Sequence, residues 1–184
     1  MKKKIIFLIL GLAAQTVVMA QTRLLDKEGK ARFFSEAPLE DIEATTNEAL
    51  GVIDTETNKI AVSILMKSFH FDKSLMEEHF NENYVESDKY PKATLTGSLS
   101  EKINFDEVGK KEILVNGELT MHGVTKQVSI PTTITVQEKN VIVHTKFIIK
   151  VADYKIKIPS VVIKNIAEEV EVTADFNFNK EETP

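Results

Sequence analysis

From Val128 to Val136 the chain alternates without a break. Val128, Ile130, Thr132, Ile134 and Val136 fall on one side, and Ser129, Pro131, Thr133 and Thr135 on the other. Near the end of the chain, Val170, Val172, Ala174, Phe176 and Phe178 alternate in the same way with Glu171, Thr173, Asp175 and Asn177. A period of two belongs to strands, and one apolar and one polar face per strand means antiparallel strands wrapped around an interior. Strands of about ten residues, rising about 3.3 Å each, give a structure roughly 30 Å tall. About eight of them would close into a barrel able to hold a small ligand. A two-layer sandwich has the same pattern, and periodicity alone does not separate the two.

The remaining strands are read by the same rule. Thr22 to Phe34 reads as a hairpin turning at Glu28-Gly29, and acidic Ser35 to Asn47, around Pro38, as an exposed loop. Ala49–Asp54 and Lys59–Met66 form a hairpin across Thr55–Asn58, with Ile60, Val62, Ile64 and Met66 facing one way. Glu112–Met121 points Ile113, Val115, Gly117, Leu119 and Met121 inward. His122-Gly123-Val124-Thr125 is the turn that follows, with Gly123 suited to positive φ. Pro131 lacks an N–H, so its strand has an edge, a bulge or an unpaired point there. Val141–Val151 is the strand after that.

One stretch breaks the period. Between strand-like Phe69-His70-Phe71 and Ala93–Leu99, the residues Leu75, Met76, His79 and Phe80 form a helical stripe. Asp72 is placed to cap this helix, and Tyr90-Pro91 blocks its continuation. A lone helix among strands is expected to close one end of the β structure, with Leu75, Met76 and Phe80 facing inward as a lid.

The first twenty residues read as a leader rather than as fold. Lys2–Lys4 precede the apolar run Ile5–Ala14, and Val18-Met19-Ala20 sets a cleavage point before Gln21. The run is too short for a permanent membrane anchor. Export is therefore expected, to the periplasm or beyond it as a secreted protein, with residues 21–184 as a single domain. There are no cysteines, so neither disulfides nor lipid attachment through cysteine is available. Without the leader's three lysines, 20 basic residues face 28 acidic ones, a charge of −8, which disfavours nucleic acid as a partner.

Signals for chemistry are weak. His70, His79, His122 and His144 lack the spacing of a metal site, and neither a G-x-S-x-G elbow nor a phosphate-cradling glycine loop is present. A turn-stabilising role suits His122 better than catalysis. No catalytic or metal site is therefore expected. Lys146, Lys150, Lys155, Lys157 and Lys164, with Asp153 as the one opposing charge, would favour a phosphate, or they are the solvated faces of two strands. The apolar interior is the better candidate. There is no tryptophan to fill it, and Ala93, Gly97, Gly117 and Ala174 are small at positions read as inward.

GELTMHGVTKQVSIP, from Gly117 to Pro131, resembles the G-x-L-T-x-H-G-V-T-K-x-V hairpin of the YceI-like family. KYPKATLTG and the Phe147–Ile156 and Glu169–Val172 segments resemble other parts of that family. Two features depart from it. No Ser-x-x-x-Phe-x-x-x-His precedes Gly51, and Lys155 follows Asp153-Tyr154 where the family usually has glycine. The resemblance implies an extended, lipocalin-like antiparallel barrel of about eight strands that binds a polyisoprenoid or other amphiphilic lipid without catalysis. No cofactor other than that lipid is implied, and the oligomeric state stays open, a homodimer included. On this reading the lining is Val62, Ile64, Phe71, Met76, Phe80, Leu95, Leu119, Ile130, Ile134, Phe147 and Phe176, with Lys155 and Lys157 as headgroup contacts. The competing readings are a structural or adhesion module with a solid core, and a hydrolase or metal enzyme.

Overall fold

The computed structural model describes residues 23–36, 41–157 and 168–181. The expected leader, Pro38, Lys164 and the last residues of the chain lie outside the described residues. The long strands are β1 (Arg23–Ser35), β2 (Ile42–Asp54), β3 (Lys59–Leu65), β5 (Lys92–Leu99), β6 (Gly109–Met121), β7 (Val124–Val136), β8 (Asn140–Lys150) and β9 (Glu169–Asn179). A two-residue strand, β4 (His70–Phe71), continues the edge of β2 beyond β3, and the helix α1 (Ser74–His79) follows it. Each strand pairs antiparallel with its neighbours, and β1 meets both β2 and β9, so eight strands close into a barrel.

Alternation turns the apolar set inward, as in β9, where Ala174, Phe176 and Phe178 are buried. The outer face carries cross-strand polar pairs: Lys146–Glu171, Lys150–Glu169, His144–Asp175 and Gln127–Glu118. That is the reverse of a transmembrane barrel, whose apolar band faces outward.

Two expectations about the N-terminal strands are corrected. Thr22–Phe34 is not a hairpin, because β1 runs straight through Gly29 as a bulge with register shifts on either side of that residue. The Asp26 carboxylate accepts the Glu28 N–H at 2.9 Å and, across the seam, the Asn177 N–H at 2.7 Å. The turn-like signature was therefore that of a local Asx bend, not a chain reversal. Nor is the whole of Ser35–Asn47 a loop, since β2 begins at Ile42 with Ala44 and Thr46 buried. Small residues on its inner face gave too faint an alternation to be seen among the acids. One of those acids, Glu43, forms a bidentate pair with Arg32 at 2.6 and 2.7 Å.

At the β6–β7 turn, both His122 (φ 50°) and Gly123 (φ 70°) are left-handed, as a two-residue primed turn requires. Gly97 and Gly117 were expected to line the interior. They face each other as register partners instead, and a Cβ on Gly97 would lie 2.9 Å from the Gly117 Cα. Their smallness lets two strands approach rather than widening the barrel.

Candidate functional site

The barrel encloses a cavity of about 620 Å³. All eleven residues proposed from sequence as its lining border it: Val62, Ile64, Phe71, Met76, Phe80, Leu95, Leu119, Ile130, Ile134, Phe147 and Phe176. No Lys, Arg, Asp or Glu is among the bordering residues. Two threonine hydroxyls of the wall are already engaged: Thr132 donates to the Ile130 carbonyl at 3.1 Å and Thr145 to that of Pro131 at 2.8 Å. A surface this apolar offers a guest dispersion and water exclusion, and few polar demands.

The two ends differ. At the first, where β1 starts and β9 ends, the 100–108 loop folds under the barrel with Ile103 and Phe105 buried. Leu99, Val136, Val141 and Phe178 are buried above it, and Phe176 stacks on Phe178 with ring centroids 5.7 Å apart. Phe176 lies where a Cβ on Gly51 would fall 2.7 Å from its ring. Side chains plug this end.

At the second end α1 and a π turn, Phe80–Tyr84, lie across the opening. Phe80 sits 5.2 Å from Phe33, 6.0 Å from Phe69 and 5.1 Å from Phe71 between ring centroids, so the lid rests on an aromatic cluster. The predicted lid stripe is corrected at one position. Met76, His79 and Phe80 border the cavity, whereas Leu75 is 60% exposed, one residue off the inward stripe. Asp72 does not cap the helix: the N-cap is Lys73, and no side chain bonds there. Nor does Tyr90-Pro91 end it, because the chain already turns at Glu86 with φ 45°.

Beside the lid the wall is incomplete. The β7–β8 ladder covers only Thr132–Val136 against Val141–Thr145, beginning just past Pro131, which is the unpaired point its missing N–H implied. A short 3₁₀ turn, Val151–Tyr154, packs against both strands at this seam, and Val151 and Ile156 reach the cavity. His122 ties the strap and the lid together. Its Nδ1 lies 2.9 Å from the Tyr154 carbonyl oxygen and its Nε2 2.8 Å from Glu86 Oε2, with Tyr90 edge-on at 4.6 Å. The two ring nitrogens thus each meet an oxygen, one from the strap's backbone and one from the Glu86 carboxyl beside the lid. Sequence reasoning placed His122 in its turn, but the partners, 32 and 36 residues away, had no local signal.

Lys155 and Lys157 are exposed and do not border the cavity. Lys146 and Lys150 are not a free basic patch, since Glu171 and Glu169 of β9 pair with them at 2.8 and 3.2 Å. Lys155 holds φ at 58°, a left-handed conformation that glycine adopts without strain. No group of three His, Cys, Asp or Glu able to hold a metal occurs among the described residues.

The YceI-like domain profile matches residues 24–178. No curated protein matches the chain. A polyisoprenoid binding domain from Saccharophagus degradans superposes with a TM-score of 0.72 at 17% identity, covering 86% of this chain and 98% of that one. BcnA of Burkholderia cenocepacia gives 0.69 at 15% identity, with 81% and 95% covered. The Campylobacter jejuni YCEI protein gives 0.54 at 15%, with 99% and 100% covered.

Proposed function

The chain belongs to the YceI-like family, and from that premise we propose that it binds an amphiphilic lipid, of polyisoprenoid type, inside its barrel. The observation that carries this reading is the uncharged cavity of about 620 Å³, bordered almost wholly by aliphatic and aromatic side chains. The related Saccharophagus degradans domain, a polyisoprenoid binding domain, supports the choice of lipid. Affinity would come from burying the hydrocarbon, at about 25 cal/mol per Å² before ordering costs. The protein would carry or sequester its ligand rather than transform it. It would do so outside the cytoplasm, if residues 1–20 act as the leader their pattern suggests.

A solid-core structural module is the main competitor, and the size of the cavity speaks against it. Organic extraction of the purified protein followed by mass spectrometry separates them. A co-purifying prenyl or other long-chain lipid at near-stoichiometric amount is the expected result. No bound lipid, together with failure to take up an added prenyl alcohol, would overturn the proposal.

A further inference from the structure

Two polar side chains that border the cavity have no hydrogen-bond partner among the described residues: His79, which also reaches solvent, and the half-buried Tyr84. The other polar residues at the wall are accounted for. The Thr132 and Thr145 hydroxyls bond to backbone carbonyls, and Ser35 has a partner of its own. Thr94 alternates with inward Ala93 and Leu95 and so turns outward. Both unpartnered groups sit on the lid, His79 ending α1 and Tyr84 ending the π turn that follows it. That turn is widened by the Val85 N–H donating to the Phe80 carbonyl at 2.9 Å, a distortion that recurs at functional sites. Burial pushes the Tyr84 phenol pKa up, so it stays a neutral donor at physiological pH.

We propose that His79 and Tyr84 hold the polar end of the bound lipid, and that this end is an uncharged hydroxyl or carbonyl rather than a phosphate. The assignment rests on the lipid-binding reading and specifies its ligand class. A phenol O–H donates to a carbonyl or hydroxyl oxygen, and an imidazole both donates and accepts. A phosphate at the same place would find no lysine or arginine to pair with, because neither residue type borders the cavity. The nearby Lys146 and Lys150 are paired to glutamates on the outer face, and Lys155 and Lys157 stand outside the cavity. The geometry thus places the hydrocarbon in the barrel and the head under the lid.

The test is a titration of the full chain with three guests built on a shared twenty-carbon skeleton: geranylgeraniol, geranylgeranyl monophosphate and the hydrocarbon phytane. Geranylgeraniol is expected to bind roughly tenfold tighter than either of the others, the worth of one to two net hydrogen bonds. The double variant His79→Leu/Tyr84→Phe should lose that advantage while its phytane affinity stays the same, with its circular dichroism confirming the fold. Tighter or equal binding of the phosphate would overturn the head assignment, as would a variant that weakens all three guests alike. If all three bind equally well to the unmodified chain, the head assignment falls and lipid binding stands. If none binds, the lipid-binding reading falls with it. The comparison of guests needs no variant, so a misfolded double variant leaves the proposal exposed to refutation.

Discussion

One end of this barrel is shut by side chains and the other by a separate piece of chain, and the two closures use different physics. At the plugged end, Ile103, Phe105 and Phe178 are buried with Leu99, Val136 and Val141, as in any core. At the lidded end, Phe80 rests on Phe33, Phe69 and Phe71, and His122 fastens the lid and the strap through two hydrogen bonds. A plug holds only by apolar burial and has one state. A lid that is half-buried and fastened at a polar point can let go without unfolding the barrel. The difference assigns stability to one end and exchange of the guest to the other.

The largest expected effect falls on the plug. Phe105→Ala should cost about 3 kcal/mol in urea unfolding by opening a cavity in packed surroundings, with little change in how fast a bound lipid leaves. A large change in lipid release would mean that this end opens too. Next is the clasp, where His122→Ala should cost about 2 kcal/mol and leave Glu86 and the Tyr154 carbonyl without their partner. Amide hydrogen exchange should then accelerate at Val151–Tyr154 ahead of β9; a uniform change across both would contradict a local fastening.

Replacing Met76 and Phe80 with alanine is expected to lower stability by less than the plug variant, about 1–2 kcal/mol, since Phe80 is only partly buried. Release of bound geranylgeraniol, followed by stopped flow, should nevertheless speed up about tenfold or more. If stability alone falls, α1 is a second plug and the guest leaves by another way. Lys155→Gly works in the opposite direction. It relieves a left-handed residue in the strap and should raise stability by about 1 kcal/mol, read from the urea midpoint.

The two ends should also answer to opposite extremes of pH. At the lidded end burial raises the pKa of Tyr84, and burial with the nearby Asp153 charge raises that of Tyr154. These neutral phenols contribute stability fully below the ordinary value of about 10, and lose it as pH rises through their higher folded values. At the plugged end, side-chain and then backbone hydrogen bonds from Thr57 hold Asp54 below the usual carboxylate range. Its contribution is present above about pH 4 and fades as pH falls through the lower folded value. Hydrogen exchange at high and low pH should therefore loosen first the lid and then, separately, the β2–β3 turn. Loosening of both together at either extreme would erase the distinction.

How much of this could be read from the chain follows the range of the interactions. β7 and β9, with large apolar residues at every second position, gave both their existence and their inward faces, and with them Ile130, Ile134 and Phe176 of the lining. β2 was lost at its start because Ala44 and Thr46 are small, and β1 was mistaken for a hairpin because Asp26 bends the chain locally without reversing it. The clasp was invisible because its partners come from three separate segments, and the pairing of Lys146 and Lys150 could not be read because their glutamate partners lie on another strand. Pro131 was legible from a local rule, the absence of an N–H, and it does stand where the β7–β8 ladder stops.

The central claim, a lipid held inside the barrel, has a built-in set of reporters. Met66, Met76 and Met121 are the methionines among the described residues, and all three border the cavity. In protein carrying ¹³C-methyl methionine, titration with geranylgeraniol should move all three methyl resonances together and saturate at one guest per chain. Unmoved resonances, or a shift confined to Met76 on the lid, would place the lipid outside the barrel and contradict the claim.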